Sequence, residues 1–498
     1  MRILMVYPQY PDTFWSFAHA LRFIGKKASL PPMGLLTVAA MIPGEWEVKL
    51  VDTNFTALGD EEISWADYVF ISAMTIQKDS AKKIIARCQE LGRKVVAGGP
   101  LFTALTQEFP EVDHLVLNEA ENTFPEFLRD LRQGTLKRVY RSDRWADIAV
   151  SPVPRWDLIN IKHYATMCVQ YSRGCPFDCD FCDITVLYGR APRAKPSANV
   201  ITELEALYAR GWRGTVFFVD DNFIGNKKLI KNELLPAVIG WMKKRKYPFT
   251  FLTQASINLA EDEELMRLMV KAGFDTVFVG IETPDETSLV ECGKLHNTRS
   301  DLLANVKKLQ AFGLQVQAGF IVGFDSDKHD IFNRISRFIN ESGIVASMVG
   351  LLNAPPGTKL YKRLISENRI LKGSSGDNTD FSLNFLPKMD SAVLIEGYKK
   401  IIRDIYRPEA YYRRIRTFLR NYHLGRRLHV YLSKSHLQGV FMSFYKLGVR
   451  RGVRRHFWKL MIWTIFRKPR LMPEALTMAI YGAHFMRHFD TLPNERRG

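Results

Sequence analysis

Short apolar runs alternate with amphipathic segments from Arg2 to Leu352, and this alternation restricts the fold more than any other feature of the chain. In DSAKKIIARCQELG (79–92), for example, the apolar positions recur at helical spacing, whereas the runs on either side are short and almost wholly apolar. Strands that alternate with helices form parallel sheets with helices on both faces. The sequence therefore predicts an α/β fold.

The first series of strands lies in residues 1–145 and predicts a Rossmann-like sheet of the doubly wound, flavodoxin type. Ligands of such sheets bind beyond the carboxyl ends of the strands, here at residues 74–77, 98–100 and 118–119. The Gly-Gly pair at 98–99 lets a ligand approach the backbone closely, but such pairs also occur in ordinary turns. The five predicted strands are RILMVY (2–7), VKLVD (48–52), YVFISA (68–73), KVVAGG (94–99) and HLVL (114–117).

A second series of strands occupies residues 166–385, after a proline-punctuated segment at 146–165 that is typical of a linker. Six βα units without a glycine-rich dinucleotide motif predict a full or partial barrel, whose active site lies at the carboxyl ends of its strands. The predicted strands are CVQYS (168–172), TVFFVD (215–220), FTFLTQ (249–254), TVFVGIE (276–282), VQAGFIVGF (316–324) and ASMVGLL (346–352).

Cys175, Cys179 and Cys182 lie within eight positions, directly after the first strand of the second series. Three thiols so close together indicate a metal site. A structural zinc ion takes four ligands, yet this segment offers no second cysteine pair and no nearby histidine. An iron–sulfur cluster normally takes four cysteines, so three would leave one iron open to another ligand. Incidental cysteines are the remaining alternative.

The spacing Cys-x3-Cys-x2-Cys in this position resembles the radical S-adenosylmethionine superfamily. The resemblance implies that Cys175, Cys179 and Cys182 hold a 4Fe-4S cluster whose open iron is chelated by S-adenosylmethionine. It also implies that one electron from the cluster cleaves the sulfonium to a 5′-deoxyadenosyl radical, which abstracts hydrogen from the substrate. An electron donor of the flavodoxin or ferredoxin type is implied as a partner.

The same resemblance extends to candidate contacts for S-adenosylmethionine at the ends of successive strands. VDDNF (219–223) stands where the family binds the methionine amino group, so Asp220 or Asp221 resembles that contact, although the commoner pattern there is Gly-Gly-Glu. Gln254 and Glu282 resemble polar contacts to the ribose or methionine moiety, and Gly323 belongs to a strand that passes the adenosine. A polar residue at a strand end is also often satisfied within the protein itself.

The N-terminal series resembles the cobalamin-binding domain of the class B members of this superfamily, through LPPMGLLTVAAMIP (30–43) and NEAEN (118–122) in particular. The Asp-x-His-x-x-Gly motif, which supplies a histidine to cobalt in other cobalamin proteins, does not occur in the sequence. Its absence implies base-off cobalamin without a histidine below the metal. The cobalamin contacts that the resemblance implies are Thr75, Ile76, Gln77, Gly98, Gly99 and Glu119.

Segments such as TFWSFAHALRFIGKK (13–27) and GFIVGFDSD (319–327) resemble one subgroup, which includes hopanoid C-2 methylases and archaeal tetraether-lipid ring-forming enzymes. The resemblance implies methylation of an unactivated carbon in a small hydrophobic, lipid-like or isoprenoid-like substrate. Radical C–C bond formation on a lipid without methyl transfer is one alternative. A protein that binds cobalamin or a cluster without catalysis is another.

Most of the net charge of +18 belongs to the C-terminal part of the chain. Residues 401–498 contain 21 Lys and Arg against 5 Asp and Glu, and residues 386–498 predict a basic, aromatic helical extension. A solvated helical face and attachment to an anionic membrane surface explain this composition about equally well. Nucleic acid is a less favoured partner, since transfer-RNA-modifying relatives carry a second cysteine triad in the N-terminal domain, where this chain has only Cys88.

The cysteines and the apolar runs indicate the compartment. The six cysteines form no paired framework, and the longest apolar runs fall short of a membrane-spanning length. We therefore expect a cytoplasmic protein, with contact at the inner membrane face if the extension binds lipid.

Overall fold

The computed structural model describes residues 1–424, 434–449 and 452–491, and its first six strands form one parallel sheet. These strands are β1 (Arg2–Tyr7), β2 (Glu47–Asp52), β3 (Tyr68–Ser72), β4 (Lys94–Gly98), β5 (His114–Val116) and β6 (Val139–Tyr140). Their order is β2-β1-β3-β4-β5-β6, so the five predicted strands are confirmed. The sixth was not predicted, because a strand of two residues is too short to show a pattern.

Helices cover both faces of this sheet. Because side chains alternate along a strand, Leu4 and Val6 of β1 pack into one apolar core while Ile3 and Met5 pack into another on the opposite face. The helices of this part are α1 (Ala18–Ile24), α2 (Met33–Met41), α3 (Asp60–Trp65), α4 (Lys78–Glu90), α5 (Pro100–Ala104) and α6 (Ala120–Gln133).

The second sheet also has six parallel strands, and they follow one another in chain order across the sheet. They are β7 (Met167–Val169), β10 (Thr215–Phe218), β11 (Thr250–Gln254), β12 (Phe274–Glu282), β13 (Gln315–Val322) and β14 (Ser347–Leu351). No pairing joins β7 to β14 among the described residues, so the sheet is a partial (βα)6 barrel that is open on one side. A small antiparallel pair, β8 (Ser172–Arg173) and β9 (Arg193–Ala194), adjoins its first strand.

The helices of the barrel alternate with its strands along the chain, and the last helix follows β14, as expected for βα units. They are α7 (Ile184–Leu187), α8 (Ser197–Ala209), α9 (Lys227–Leu229), α10 (Leu235–Lys244), α11 (Glu263–Ala272), α12 (Glu286–Glu291), α13 (Leu302–Ala311), α14 (Ile331–Ser342) and α15 (Lys359–Ser366). The segment that precedes the barrel is packed against the first part of the protein. Trp156 is buried there, and the Arg155 N–H donates to the Leu36 carbonyl at 3.0 Å.

The C-terminal extension is helical, as predicted, within its described residues. Its helices are α16 (Ser391–Tyr406), α17 (Pro408–Asn421), α18 (Lys434–Val449), α19 (Arg454–Arg467) and α20 (Met472–Thr491). The predictions for residues 425–433, 450–451 and 492–498 lie outside the described residues. Within the described parts of the chain, every helix is too short or too polar to cross a membrane.

One continuous apolar core joins the barrel, the extension and the N-terminal segment around α1. Phe14 stacks on Phe485 of α20 with ring centroids 4.3 Å apart, and the Tyr406 hydroxyl donates to the Ser347 carbonyl of β14 at 2.6 Å. Trp15, next in sequence, donates from Nε1 to Met348 Sδ at 3.0 Å. The segment around α1 therefore packs between the barrel and the last helix.

The contact between α14 and α16 gives a test of this packing. Gly397 of α16 faces the Phe332 ring so closely that a Cβ would overlap it, whereas Gly240 of α10 has no atom within 4 Å of that position. We expect Gly397→Ala to lower stability by about 1–3 kcal/mol through overpacking. Gly240→Ala should instead stabilise by about 0.5–1 kcal/mol, since alanine loses less backbone entropy in a helix.

Thermal unfolding of the two variants beside the parent chain measures this difference. A lower Tm for Gly397→Ala and an unchanged or higher Tm for Gly240→Ala would support the described packing. Equal melting temperatures would contradict it.

Candidate active site

The cysteine loop begins where β8 ends, at the carboxyl end of β7. Gly174 has φ of +92°, and a Cβ there would lie 3.0 Å from the carbonyl oxygens of Gly189 and Ala191, so glycine is required at this turn. The loop is held by backbone hydrogen bonds, among them Cys175 N–H to the Gly189 carbonyl at 3.3 Å and Cys182 N–H to the Cys179 carbonyl at 3.1 Å.

The three loop cysteines differ from the other three in exposure. Cys175, Cys179 and Cys182 are partly exposed, while the remaining cysteines, Cys88, Cys168 and Cys292, are buried. Burial raises the pKa of the Cys179 thiol to about 11, so this group loses its proton at neutral pH only when a cation stabilises the thiolate. Three free, accessible thiols on one loop fit the ligand set of an iron–sulfur cluster with one open iron.

The two predicted aspartates hold the chain that leads into this loop. Asp220 is fully buried, and its carboxylate accepts from the Tyr171 N–H at 3.2 Å and from the Ser172 hydroxyl at 2.6 Å. Asp221 accepts from the Gly174 N–H at 2.9 Å. Burial raises the pKa of Asp220 to about 7 and that of Asp221 to about 6. Both carboxylates therefore help to shape the loop.

Sequence reasoning passed over Asn222, the next residue. Its Nδ2 lies 3.9 Å from Cys175 Sγ and 3.3 Å from the Ser256 hydroxyl, so it links the cysteine loop to the end of β11. Its position next to two aspartates at the end of a strand was the feature of the sequence that could have identified it as a site residue.

Glu282 ends β12 in a conformation that side chains rarely adopt. Its φ is +63°, and the register with β13 shifts between Gly280 and Glu282. Backbone strain of this kind is common at functional sites. Its carboxylate forms a largely buried ion pair with the Lys294 ammonium, a second residue that the sequence did not reveal.

The remaining predicted contacts for S-adenosylmethionine lie on neighbouring strands. Gln254 ends β11 beside Phe278 of β12 and is half-buried. Gly323 follows β13 with φ of +108°, and a Cβ there would lie 3.1 Å from Leu394 Cδ2, so this glycine also packs against α16. Two buried amide oxygens nearby, Asn297 Oδ1 and Asn353 Oδ1, have no hydrogen-bond partner in the structure. A bound ligand with hydrogen-bond donors would satisfy such atoms.

The predicted cobalamin loops lie at the carboxyl edge of the first sheet. Thr75, Ile76 and Gln77 form one short turn, but the Gln77 side chain is fully buried and donates to the Pro8 carbonyl at 2.5 Å. A Cβ at Gly376, in the segment between α15 and α16, would lie 2.7 Å from the Ile76 nitrogen, so this turn faces the C-terminal part of the chain.

Packing within the first sheet already requires its two glycines. A Cβ at Gly98 would lie 2.6 Å from the Val116 carbonyl oxygen, and one at Gly99, where φ is +89°, would lie 2.6 Å from Ser72 Oγ. Beyond β5, Asn118 has φ of +64° and a buried Oδ1 without a hydrogen-bond partner. This unsatisfied oxygen fits an edge that receives a polar ligand.

The Glu119 carboxylate lies between the first sheet and the barrel. Its carboxylate accepts from Arg173 Nη1 at 2.9 Å, from Arg193 Nη1 at 2.9 Å and from the Ala146 N–H at 2.8 Å. With these three donors in place, the carboxylate joins the first sheet to the barrel.

Glu121 completes this buried network of charges. Its two oxygens accept from Arg173 at 2.9 and 2.8 Å, and both carboxylates are at most 3% exposed. Burial alone would raise the pKa of Glu121, but the Arg173 guanidinium and the Ser151 hydroxyl lower it to about 2. Because Arg173 precedes Gly174, the network sets the ligand edge of the first sheet against the cysteine loop.

A parallel sheet whose ligand edge faces the mouth of a partial barrel with three accessible thiols is the arrangement that the resemblance to cobalamin-binding radical S-adenosylmethionine enzymes implies.

Three parts of the chain match known families. Residues 27–128 match the B12 binding domain, residues 169–339 match the Radical SAM superfamily, and residues 358–497 match a domain of unknown function, DUF4070.

Two curated relatives cover almost the whole chain. An uncharacterized methyltransferase of Synechocystis sp. is 40% identical over 500 residues, covering 99% of this chain and 93% of the relative. The hopanoid C-2 methylase of Rhodopseudomonas palustris is 34% identical over 478 residues, covering 94% and 90%. The chain belongs to this family of cobalamin-dependent radical S-adenosylmethionine methyltransferases, whose cofactors are a 4Fe-4S cluster, S-adenosylmethionine and cobalamin.

Solved structures share the fold. The radical S-adenosylmethionine methyltransferase TsrM from Kitasatospora setae, with cobalamin and a [4Fe-4S] cluster bound, superimposes with a TM-score of 0.64. It is 15% identical, and the match covers 95% of this chain and 98% of TsrM. The cobalamin-dependent enzyme OxsB gives a TM-score of 0.62 at 14% identity, covering 98% and 80%.

The buried network predicts unequal effects for two glutamates of α6. Glu121→Gln removes a buried countercharge of Arg173 and should cost about 3 kcal/mol of unfolding free energy. Glu126 pairs with Lys137 at the surface, where its side chain is 38% exposed, so Glu126→Gln should cost less than about 1 kcal/mol.

Urea unfolding of both variants and the parent, in one buffer at neutral pH, checks this prediction. Equal losses for the two variants would show that the buried pair does not hold the two parts of the protein together.

Proposed function

We propose that this enzyme methylates an unactivated carbon of a small hydrophobic substrate of the lipid or isoprenoid class. The similarity to the hopanoid C-2 methylase over nearly the whole length of both chains carries the proposal. No lone pair is available on such a carbon to attack a sulfonium, so a substrate radical has to be made first. When bound, the three cofactors supply the electron, the hydrogen-abstracting radical and the methyl group.

The interior of the barrel supports a hydrophobic substrate. Along β10 and β11 the fully buried side chains pack into the core, while the alternate residues Phe217 and Leu252 are only half-buried and face the other side of the sheet. Trp15 lies at this side, with its ring 5.4 Å from Phe278 and its Nε1 beside Met348. These side chains are apolar and exclude water from the reacting atoms.

We assign the roles of the predicted residues as follows. The three loop cysteines hold the cluster, and Asp220 and Asp221 fix the chain that presents them. Asp221, Gln254, Glu282 and Gly323 contact S-adenosylmethionine, directly or through backbone atoms. Thr75, Ile76, Gly98 and Gly99 line the cobalamin site, to which Gln77 and Glu119 contribute by fixing the loops.

We also propose the corresponding division of the chain. It comprises a cobalamin-binding unit at 1–145, a linking segment at 146–165, the barrel at 166–385 and the extension at 386–498. Enzymes of this class need a reductant, and we propose a flavodoxin-type or ferredoxin-type donor.

The extension presents an apolar surface that we propose contacts an anionic membrane at the cytoplasmic face. Six large apolar side chains of α18 and four of α19 are at least 36% exposed, the highest being Phe441 at 70% and Phe466 at 81%. The exposed set is Leu437, Val440, Phe441, Phe444, Tyr445, Val449, Trp458, Ile462, Ile465 and Phe466. We call these ten residues the α18–α19 surface. Exposed apolar side chains on ordinary surfaces are scattered, whereas these recur at helical spacing on two helices that contact each other.

The charges around the α18–α19 surface match an anionic bilayer. No Asp or Glu lies between Lys434 and Leu471, while the exposed basic residues there include Arg454, Arg455 and Lys459. Amphipathic helices with aromatic residues and a basic border bind at the lipid headgroup level. A membrane-bound enzyme would meet a lipid substrate where it is concentrated.

Product analysis tests the methylase. Anaerobic, reconstituted enzyme with a reductant, S-adenosylmethionine, cobalamin and a polycyclic isoprenoid lipid should give 5′-deoxyadenosine, S-adenosylhomocysteine and a lipid one methylene unit heavier. Cys179→Ala should abolish 5′-deoxyadenosine because the cluster loses a ligand, whereas Cys88→Ala should retain it.

The alternatives give different products. Deoxyadenosine with a modified lipid but without S-adenosylhomocysteine would favour radical C–C bond formation. Cobalamin or cluster binding without deoxyadenosine would favour a non-catalytic protein.

Vesicle binding tests the α18–α19 surface. Ile465→Glu and the pair Phe441→Glu/Phe466→Glu should each reduce co-sedimentation with phosphatidylglycerol vesicles at least about ten-fold, because apolar burial is lost and negative charge is added. Ile365→Glu on α15 is a matched control, since Ile365 is 52% and Ile465 is 54% exposed. Equal binding by Ile465→Glu and Ile365→Glu would refute the membrane contact, and so would a change only in oligomeric state.

A further inference from the structure

A second group of metal-ligating side chains lies apart from the cysteine loop, where the N-terminal segment meets α20. One ligand atom each of Asp12, His19 and His484 lies within 4.8 Å of the others. Asp12 and His19 flank the Phe14–Ser16 turn, whereas His484 comes from the other end of the chain. No part of the proposed methyl transfer uses these residues.

His484 has the arrangement of a metal-ligating imidazole. The residue is fully buried, and its Nε2 lies 2.9 Å from the Phe14 carbonyl oxygen, to which it can only donate. This bond places the ring proton on Nε2, so Nδ1 keeps its lone pair. Nδ1 is buried and has no hydrogen-bond partner in the structure. Metal-bound histidines commonly donate from the other nitrogen to a backbone carbonyl in this way.

His19 and Asp12 complete a convergent set. His19 Nε2 lies 2.8 Å from Asp12 Oδ2 but without the alignment of a hydrogen bond, and both ring nitrogens of His19 are buried without a hydrogen-bond partner. Asp12 is oriented through its other oxygen, since Oδ1 accepts from the Ser16 hydroxyl at 3.1 Å. Oδ2 of Asp12 is thus left to face His19, and one ligand atom of His484 lies within 4.8 Å of both residues' ligand atoms.

We propose that Asp12, His19 and His484 bind one divalent transition-metal ion of the zinc type, with water completing the coordination. Two histidines and a carboxylate are a usual ligand set for such ions. Ligands about 2.1 Å from a shared ion lie roughly 3–4 Å apart. The His19–Asp12 pair is already close to this spacing, and one ligand atom of His484 lies within 4.8 Å of both.

The ion would link the N-terminal segment to α20 through two ligands, Asp12 and His19, that stand on either side of Trp15 in the sequence. Trp15 stands between Asp12 and His19 in the sequence and lies against Phe278 and Met348 of the barrel. A metal cross-link at this point would hold that side chain against the interior of the barrel. The site is thus structural, and it is independent of the identity of the substrate.

Zinc binding by the cluster-loaded enzyme tests the proposal. After equilibrium dialysis against Zn²⁺, elemental analysis should find one zinc ion per chain in the parent and in His329→Ala, whose histidine is exposed and distant from this segment in the sequence. Asp12→Asn and His19→Ala should lower the zinc affinity at least about ten-fold. Asp12 is exposed, so Asp12→Asn should keep the parental Tm in the absence of zinc.

Zinc K-edge absorption identifies the ligands, since the cluster iron and the cobalamin cobalt absorb at other energies. In the parent we expect two imidazoles and oxygen as zinc ligands. In His19→Ala we expect this zinc signal to be lost. Equal zinc binding by all four proteins, no zinc in the parent, or a shell of sulfur ligands would each overturn the proposal.

Discussion

Four charged side chains pair where the first sheet meets the cysteine loop, two buried glutamates with two partly buried arginines, and the relative position of the two ligand sites depends on them. Arg173 and Arg193 reach across from the barrel to Glu119 and Glu121, whose carboxylates are almost inaccessible to water. Buried charges are costly unless each has its partner in good geometry, so the two parts of the protein have little freedom to slide. Since Arg173 adjoins Gly174, the same ion pairs fix the start of the loop that carries the cluster ligands.

The open side of the barrel imposes a second constraint. A six-stranded arc that does not close exposes its interior, and here the segment around α1 and the helix α20 pack into the same core as the strands. Trp15 enters the interior from that segment and meets Phe278 and Met348. The cofactors and their chemistry are common to the family. We expect the apolar side chains in the barrel interior to select the substrate, and the helical extension to determine where the enzyme meets it.

Much of this architecture was predictable from local sequence. The apolar runs identified eleven strands, because alternation and burial are written into a few consecutive residues. The spacing of Cys175, Cys179 and Cys182 indicated a metal loop, since ligands from one short segment converge without help from distant elements. Among the residues that the structure describes, the strands that were not predicted have two residues each, Val139–Tyr140 among them, and are too short to show a period.

The sequence by itself thus determined the order of the elements, the cysteine ligands and, through its resemblance to a family, the cofactors. The tertiary structure decided which distant side chains meet. It paired Glu119 with two arginines, placed Gly98 against the Val116 carbonyl and brought His484 to Asp12. These outcomes depend on contacts between residues far apart in the chain, whose partners are set by how the packed elements fit together. No local pattern of residues records that fit.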